Sequence, residues 1–208
     1  SSHLREYALQ FNKNVRQIPN SFDPKVYAYR PFPENAGSVC VGWSGSPSTL
    51  KNLELVAAPL RRLAEKVDYQ FHAIGGTEIN LPGVNFTAQN WREETEADDL
   101  RKMQIGLIPL PDVQWNKYKF IMKSAQYMAL GIVPVGTPMA SNPEVIRHGE
   151  NGFLAATDDE WVEYTKILIE DATLRNKMSA QAARDALDNY SLDATIPKVI
   201  EAFKSAVK

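Results

Sequence analysis

Residues 105–135 read IGLIPLPDVQWNKYKFIMKSAQYMALGIVPV, and this stretch decides the fold. It opens with an apolar run that Pro109 and Pro111 stop, the pattern of a strand buried on both faces. Residues 120–130 then carry apolar side chains at helical spacing, Gly131 supplies the stop, and residues 132–135 return at once to an apolar run. Strand, helix and strand in so short a span predict a right-handed βαβ unit, and hence a parallel sheet.

The alternation continues in both directions. Upstream, residues 39–43 predict a strand and residues 51–66 a helix through Leu53, Val56, Leu60, Leu63 and Ala64, with a kink expected at Pro59. Residues 69–74 predict a second strand closed by Gly75 and Gly76, and residues 84–87 a third. Asn90 and Glu93 have capping-box spacing ahead of Ala97, Leu100 and Met103. Downstream, Asn142 and Pro143 suit the cap and first turn of a short helix ending near Gly149, and residues 152–155 predict a last strand. Thr157 and Glu160 form a second capping box before Trp161, Tyr164, Thr165 and Leu168. Two closing helices run through Leu174, Met178 and Ala182, and through Ile196, Val199, Ile200 and Phe203. The sum is an α/β chain with a Rossmann-like parallel sheet of about six strands and helices on both faces. Ahead of it, residues 4–11 predict a short helix, residues 15–18 an extended piece, and Pro19, Asn20, Pro24, Pro31, Pro33 and Gly37 a linker.

Composition narrows the function. With 208 residues and a formal charge of -2, the chain suits one core and gives no electrostatic case for a nucleic-acid partner. Cys40 is the single cysteine, so no disulfide or thiolate metal site forms within the chain, and a reducing compartment fits best. No run of eighteen apolar residues or basic leader predicts a membrane span or export. His3, His72 and His148 are dispersed, so no metal site is expected.

In an open parallel sheet, ligands bind beyond the carboxyl ends of the strands. The first such loop, residues 42–49, is GWSGSPST; Gly45 and Ser46 let backbone N–H groups approach an anion, and Lys51 follows, although a plain capped turn explains these residues equally. The dinucleotide GxGxxG spacing and the GxxxxGK[ST] phosphate loop are both absent. Gln89, Asn90 and Trp91 follow the third strand, where an aromatic face stacks on a nucleobase and amides read its edge; a hydrophobic lid is the alternative for Trp91. Lys117, Lys119 and Lys123 gather at the start of the 120–130 helix, where the dipole is already positive, so an anionic ligand is expected there. Lys119 and Lys123 are four apart on one face, while Lys117 suits a solvated position. Residues 136–142 form a small polar loop suited to closing over a sugar, with a plain connection between strand and helix as the alternative.

Five collinear segments carry a resemblance: residues 18–23 (IPNSFD), 41–49 (VGWSGSPST), 105–112 (IGLIPLPD), 126–135 (QYMALGIVPV) and 148–155 (HGENGFLA). Across nearly its whole length the chain resembles the C-terminal, nucleotide-sugar-binding domain of retaining family 4 (group 1) GT-B glycosyltransferases. The resemblance implies that Lys51, Lys119 and Lys123, with amides around Ile121 and Met122, hold the donor diphosphate. Where the family commonly has a Glu-x7-Glu pair, this chain has Tyr118 and Gln126. Gln126 retains the ability to bond ribose hydroxyls and suits the subgroup sharing the Gly-Ser-Pro-Ser-Thr loop. Tyr118 departs from the pattern at the sugar contact, for which Asp112 is a candidate substitute.

Residues 1–38 are then an interdomain linker and remnant of an N-terminal half, residues 39–190 the donor-binding domain, and residues 191–208 a helix expected to pack on that absent half. The donor implied is a UDP- or GDP-sugar, with no cofactor or metal, and the acceptor a glycan or lipid-linked glycan held by the N-terminal half. Cytoplasmic placement is expected, with peripheral attachment to the inner membrane face through the full-length protein. The chain alone is expected to bind donor weakly and not to transfer sugar. Competing readings are half of a nucleotide-sugar epimerase or hydrolase, which needs an acid/base pair, and a non-catalytic Rossmann-like binding module.

Overall fold

A computed structural model describes residues 1–33 and 37–206. The expected linker positions 34–36 and the end of the last expected helix, Val207 and Lys208, lie outside these residues. Six strands form one sheet: β1 Cys40–Ser44, β2 Gln70–Ile74, β3 Phe86–Gln89, β4 Ile105–Ile108, β5 Val133–Gly136 and β6 Phe153–Leu154. All neighbours pair parallel in the order β3-β2-β1-β4-β5-β6. The chain builds outward from β1 through β2 to β3, then returns to place β4 on the other side of β1. That reversal leaves a crevice at the carboxyl ends of β1 and β4.

The helices are α1 Ser2–Leu9, α2 Glu54–Ala64, α3 Glu96–Leu100, α4 Gln114–Lys117, α5 Met122–Ala129, α6 Asn142–Val145, α7 Asp158–Glu170, α8 Ala172–Tyr190 and α9 Leu192–Ala206. Strand alternation divides the core. Val41, Trp43, Phe71, Leu107 and Val135 join Val56 and Leu60 of α2 and Trp161 and Leu168 of α7 in one cluster. Cys40, Ile74, Leu100, Met103, Tyr127 and Leu130 form another. Gly131 adopts φ +78 directly after α5, a left-handed conformation that ends the helix and turns the chain into β5.

Several boundaries differ from expectation. Residues 15–18 belong to no strand. The 51–66 helix begins as a 3-10 stretch, Pro47–Leu53, and α2 then continues through the buried Pro59 without interruption. The third strand lies two residues later than expected: Thr87 pairs with His72, and their side chains meet at 2.7 Å between Nδ1 and Oγ1. The Asn90/Glu93 capping box does not form. Arg92 takes the cap position, Glu93–Thr95 make a 3-10 turn, and α3 starts at Glu96. Asn142 is likewise not a cap: Ser141 precedes α6, while the buried Asn142 amide donates to the Thr137 carbonyl at 2.9 Å and accepts from Ser124 Oγ at 2.7 Å.

The Thr157/Glu160 capping box is complete. Thr157 Oγ1 accepts from the Glu160 N–H at 3.3 Å, and Glu160 Oε2 accepts from the Thr157 N–H at 3.0 Å. Thr157→Ala is expected to cost about 1 kcal/mol by urea denaturation. A midpoint and slope equal to wild type would show that the box contributes nothing.

Candidate functional site

Beyond the carboxyl ends of β1 and β4 lies a cleft of about 480 Å³, walled by residues 43–52 on one side and residues 107–123 on the other. A larger hollow, about 610 Å³, opens between the N-terminal segment and α9. The smaller cleft is the better candidate because it sits at the switch point of the sheet, where strand ends and loop amides converge.

Lys51, Lys119 and Lys123 all line this cleft, and among the described residues no carboxylate does. They arrive by different routes. Lys51 is exposed and rides on the 3-10 stretch Pro47–Leu53. Lys119 is not on the helix as expected; it lies in the turn between α4 and α5, with its ammonium 5.8 Å from the Trp115 ring centroid. Lys123 alone belongs to the first turn of α5. Three cations against one hollow repel one another unless anions lie between them.

The backbone donors divide. The Gly45 N–H bonds the Ile74 carbonyl at 2.9 Å, and the Ile121 N–H bonds Ser141 Oγ at 2.7 Å, so neither expected amide is free. Both residues nevertheless line the cleft. Among the described residues the Met122 and Lys123 N–H groups, at the start of α5, meet no acceptor. Ser46 presents its hydroxyl 2.9 Å from Ser48 Oγ and 3.3 Å from Thr49 Oγ1, a cluster of donors at the mouth. The Ser44 N–H is held by the buried Tyr127 hydroxyl at 2.7 Å, which fixes the end of β1 against α5.

Two of the residues expected to meet ribose and base, Trp91 and Gln126, converge behind the cleft on Glu96, which sequence reasoning did not single out. Lys123 Nζ donates to Glu96 Oε1 at 2.7 Å and Trp91 Nε1 to the same oxygen at 2.8 Å. Gln126 Nε2 donates to Glu96 Oε2 at 3.2 Å and to the Tyr27 hydroxyl at 2.7 Å, and that hydroxyl itself donates to Glu96 Oε2. Burial alone would raise the Glu96 carboxyl; hydrogen bonds from Lys123, Tyr27 and Trp91 and the Lys123 charge outweigh it and hold the group below its usual range. Burial, reinforced by Glu96, pushes the Tyr27 phenol up.

The other expected contacts lie apart. Gln89, at the end of β3, accepts from Lys102 Nζ at 3.4 Å, and Asn90 is exposed. Neither lines the cleft. Asp112 is exposed 3.9 Å from Lys117 Nζ, which places Lys117 on the surface as expected. Tyr118 turns away, its carbonyl taking the Ser1 hydroxyl at 2.9 Å and its ring meeting His3 edge-on. These two expected sugar contacts are therefore absent from the cleft wall. Asn116 is buried there instead, its Nδ2 bonded to the Pro111 carbonyl at 2.9 Å. It was missed because α4, which carries it, is only four residues long and leaves no clear periodicity after Pro111.

Among the described residues no group of three His, Cys, Asp or Glu side chains is placed to hold a metal ion. Nor, among the described residues, is any helix long and apolar enough to cross a membrane.

The family model described as glycosyl transferases group 1 matches residues 38–171. No curated protein matches the sequence. In shape the chain is similar to a glycosyltransferase from Rickettsia africae ESF-5, with a TM-score of 0.77 at 13% identity, covering 98% of this chain and 61% of that one. It is similar to Anabaena HepE in complex with UDP and glucose, with a TM-score of 0.72 at 16% identity, covering 91% of this chain and 57% of that one. It is also similar to the C-terminal domain of a group 1 family protein from Francisella tularensis, with a TM-score of 0.64 at 17% identity, covering 83% of this chain and 100% of that one. The chain thus spans about three fifths of the first two.

Proposed function

The chain belongs to the group 1 glycosyltransferases, and from that membership we propose that it is the donor-binding, C-terminal half of a two-domain GT-B enzyme. The observation that carries this is the cleft with three lysines and, among the described residues, no carboxylate. Lys123 is already paired with Glu96 behind the wall, but Lys51 and Lys119 have no carboxylate partner among the described residues, and a nucleoside diphosphate brings that charge. In glycosyl transfer the bond to the sugar breaks toward the diphosphate, and positive side chains and free N–H groups already in place stabilise the charge that develops there. Lys51, Lys119 and Lys123 with the Met122 and Lys123 amides fill that role, with no metal in the scheme.

The donor is a UDP- or GDP-sugar, transferred with retention; the acceptor, a glycan or lipid-linked glycan, is bound by the other half. Residues 1–38 act as the linker, residues 39–190 as the donor domain and residues 191–208 as the helix that packs on the other half in the cytoplasm. The outward apolar side chains of α9, Ile196, Ile200 and Phe203, support that packing. An epimerase or hydrolase would need an acid/base pair facing the sugar, and the cleft wall supplies none among the described residues.

A thermal-shift panel of UDP, GDP, ADP and TDP with their sugars tests the reading. One diphosphate is expected to stabilise the chain by about 2.7 kcal/mol when present at a hundredfold excess over its Kd, without sugar transfer by the chain alone. A flat panel at millimolar ligand would identify a binding module of another kind, and transfer by the isolated chain would refute its dependence on a second half.

A further inference from the structure

We infer that Glu96 is a positioning residue for the donor site: it holds Lys123, Gln126 and Trp91 in one frame and ties that frame to the linker through Tyr27. The inference rests on the donor-site reading above. Its basis is stoichiometric. Each carboxylate oxygen carries two donors, Lys123 and Trp91 on Oε1, Gln126 and Tyr27 on Oε2, so both lone pairs of each oxygen are committed. A carboxylate so occupied has no acceptor site left for a ligand hydroxyl, and its action on a ligand must pass through the groups it holds.

Those groups come from three separate segments: the linker, the loop after β3, and α5 at two positions one turn apart, all gathered at the first residue of α3. Lys123 is the member that also lines the cleft. Its ammonium has three protons, of which Glu96 takes one. The remaining two are left to donate to a ligand in the cleft, and the pairing already restrains the long side chain that binding would otherwise have to freeze. Glu96 itself is only 12% exposed, so the pair is shielded from the screening that weakens surface ion pairs.

The test is a cycle in UDP binding, measured by calorimetry on the whole chain. Glu96→Gln keeps one acceptor oxygen but turns an NH2 group toward donors, and is expected to weaken UDP binding by about tenfold. In a Lys123→Met background the same change is expected to alter Kd by less than about twofold, because its route to the ligand is gone. Equal losses in the two backgrounds would overturn the assignment, as would wild-type affinity in Glu96→Gln. Should that variant not fold, Glu96→Asp, which keeps the charge but cannot reach all four donors, is expected to lose affinity likewise; unaltered binding there overturns the inference too. Failure of the wild-type chain to bind any nucleoside diphosphate would overturn the donor-site reading itself, and this inference with it.

Discussion

Alanine in place of Gly75 is expected to lower the unfolding free energy by about 3 kcal/mol and to abolish diphosphate binding at the same time. Gly75 follows β2 with φ +137, a conformation that side chains rarely adopt, and a Cβ there would stand 1.9 Å from the Gly45 carbonyl oxygen. The clash is with backbone, so no rotamer change relieves it. Relief requires the loop after β1 to move, yet Gly45 is bonded through its N–H to the Ile74 carbonyl and Gly75 through its own to the Gln89 carbonyl. Both the three-strand edge and the Ser46 hydroxyl cluster depend on that contact. Urea denaturation of Gly75→Ala, with UDP titration of whatever remains folded, measures both effects. Wild-type stability would mean that the loop is free to shift and contributes nothing rigid to the site.

The second large effect is expected from the cleft's cations. Lys123→Met should weaken UDP binding by about thirtyfold, the loss of one charge-assisted hydrogen bond of about 2 kcal/mol. Lys119→Ala should cost less, because Lys119 rests beside the exposed Trp115 ring and has no carboxylate partner among the described residues to hold it in place, whereas Lys123 is fixed by Glu96. Binding by the wild-type chain should also weaken as sodium chloride is raised, and less so in Lys119→Ala, since one of the screened charges is then gone. If both lysine variants bound UDP as wild type does, at all salt concentrations, the cleft would not be the diphosphate site.

Much of the fold was legible because its determinants are local. The βαβ unit of residues 105–135 needs only an apolar run, a helical period and Gly131, and all three are visible in one dimension. The Thr157 box was legible for the same reason, with donor and acceptor three residues apart. Asn90 and Glu93 have identical spacing and form no box. There Trp91 and Glu96 are drawn into a network with residues 27, 123 and 126, and that tertiary demand decides where α3 begins.

The site divides in the same way. That Lys51, Lys119 and Lys123 belong near the ligand edge of the sheet followed from strand order and charge. Which amides are free did not, because Ile74 and Ser141, the partners that occupy Gly45 and Ile121, are about thirty and twenty residues away. Glu96 looked like one of several acids in the run 93–99, and no pattern marks it out. Its role exists only where four chain segments meet.

Sequence alone thus determined the class of fold, and it pointed to the edge of the sheet where the lysine-lined cleft lies, since these depend on hydrophobic period, connection rules and residue type. The tertiary structure alone decided which donors remain unpaired and which cation is held in place. Hydrogen-bond saturation is a count over neighbours in space, and most of those neighbours are far apart along the chain.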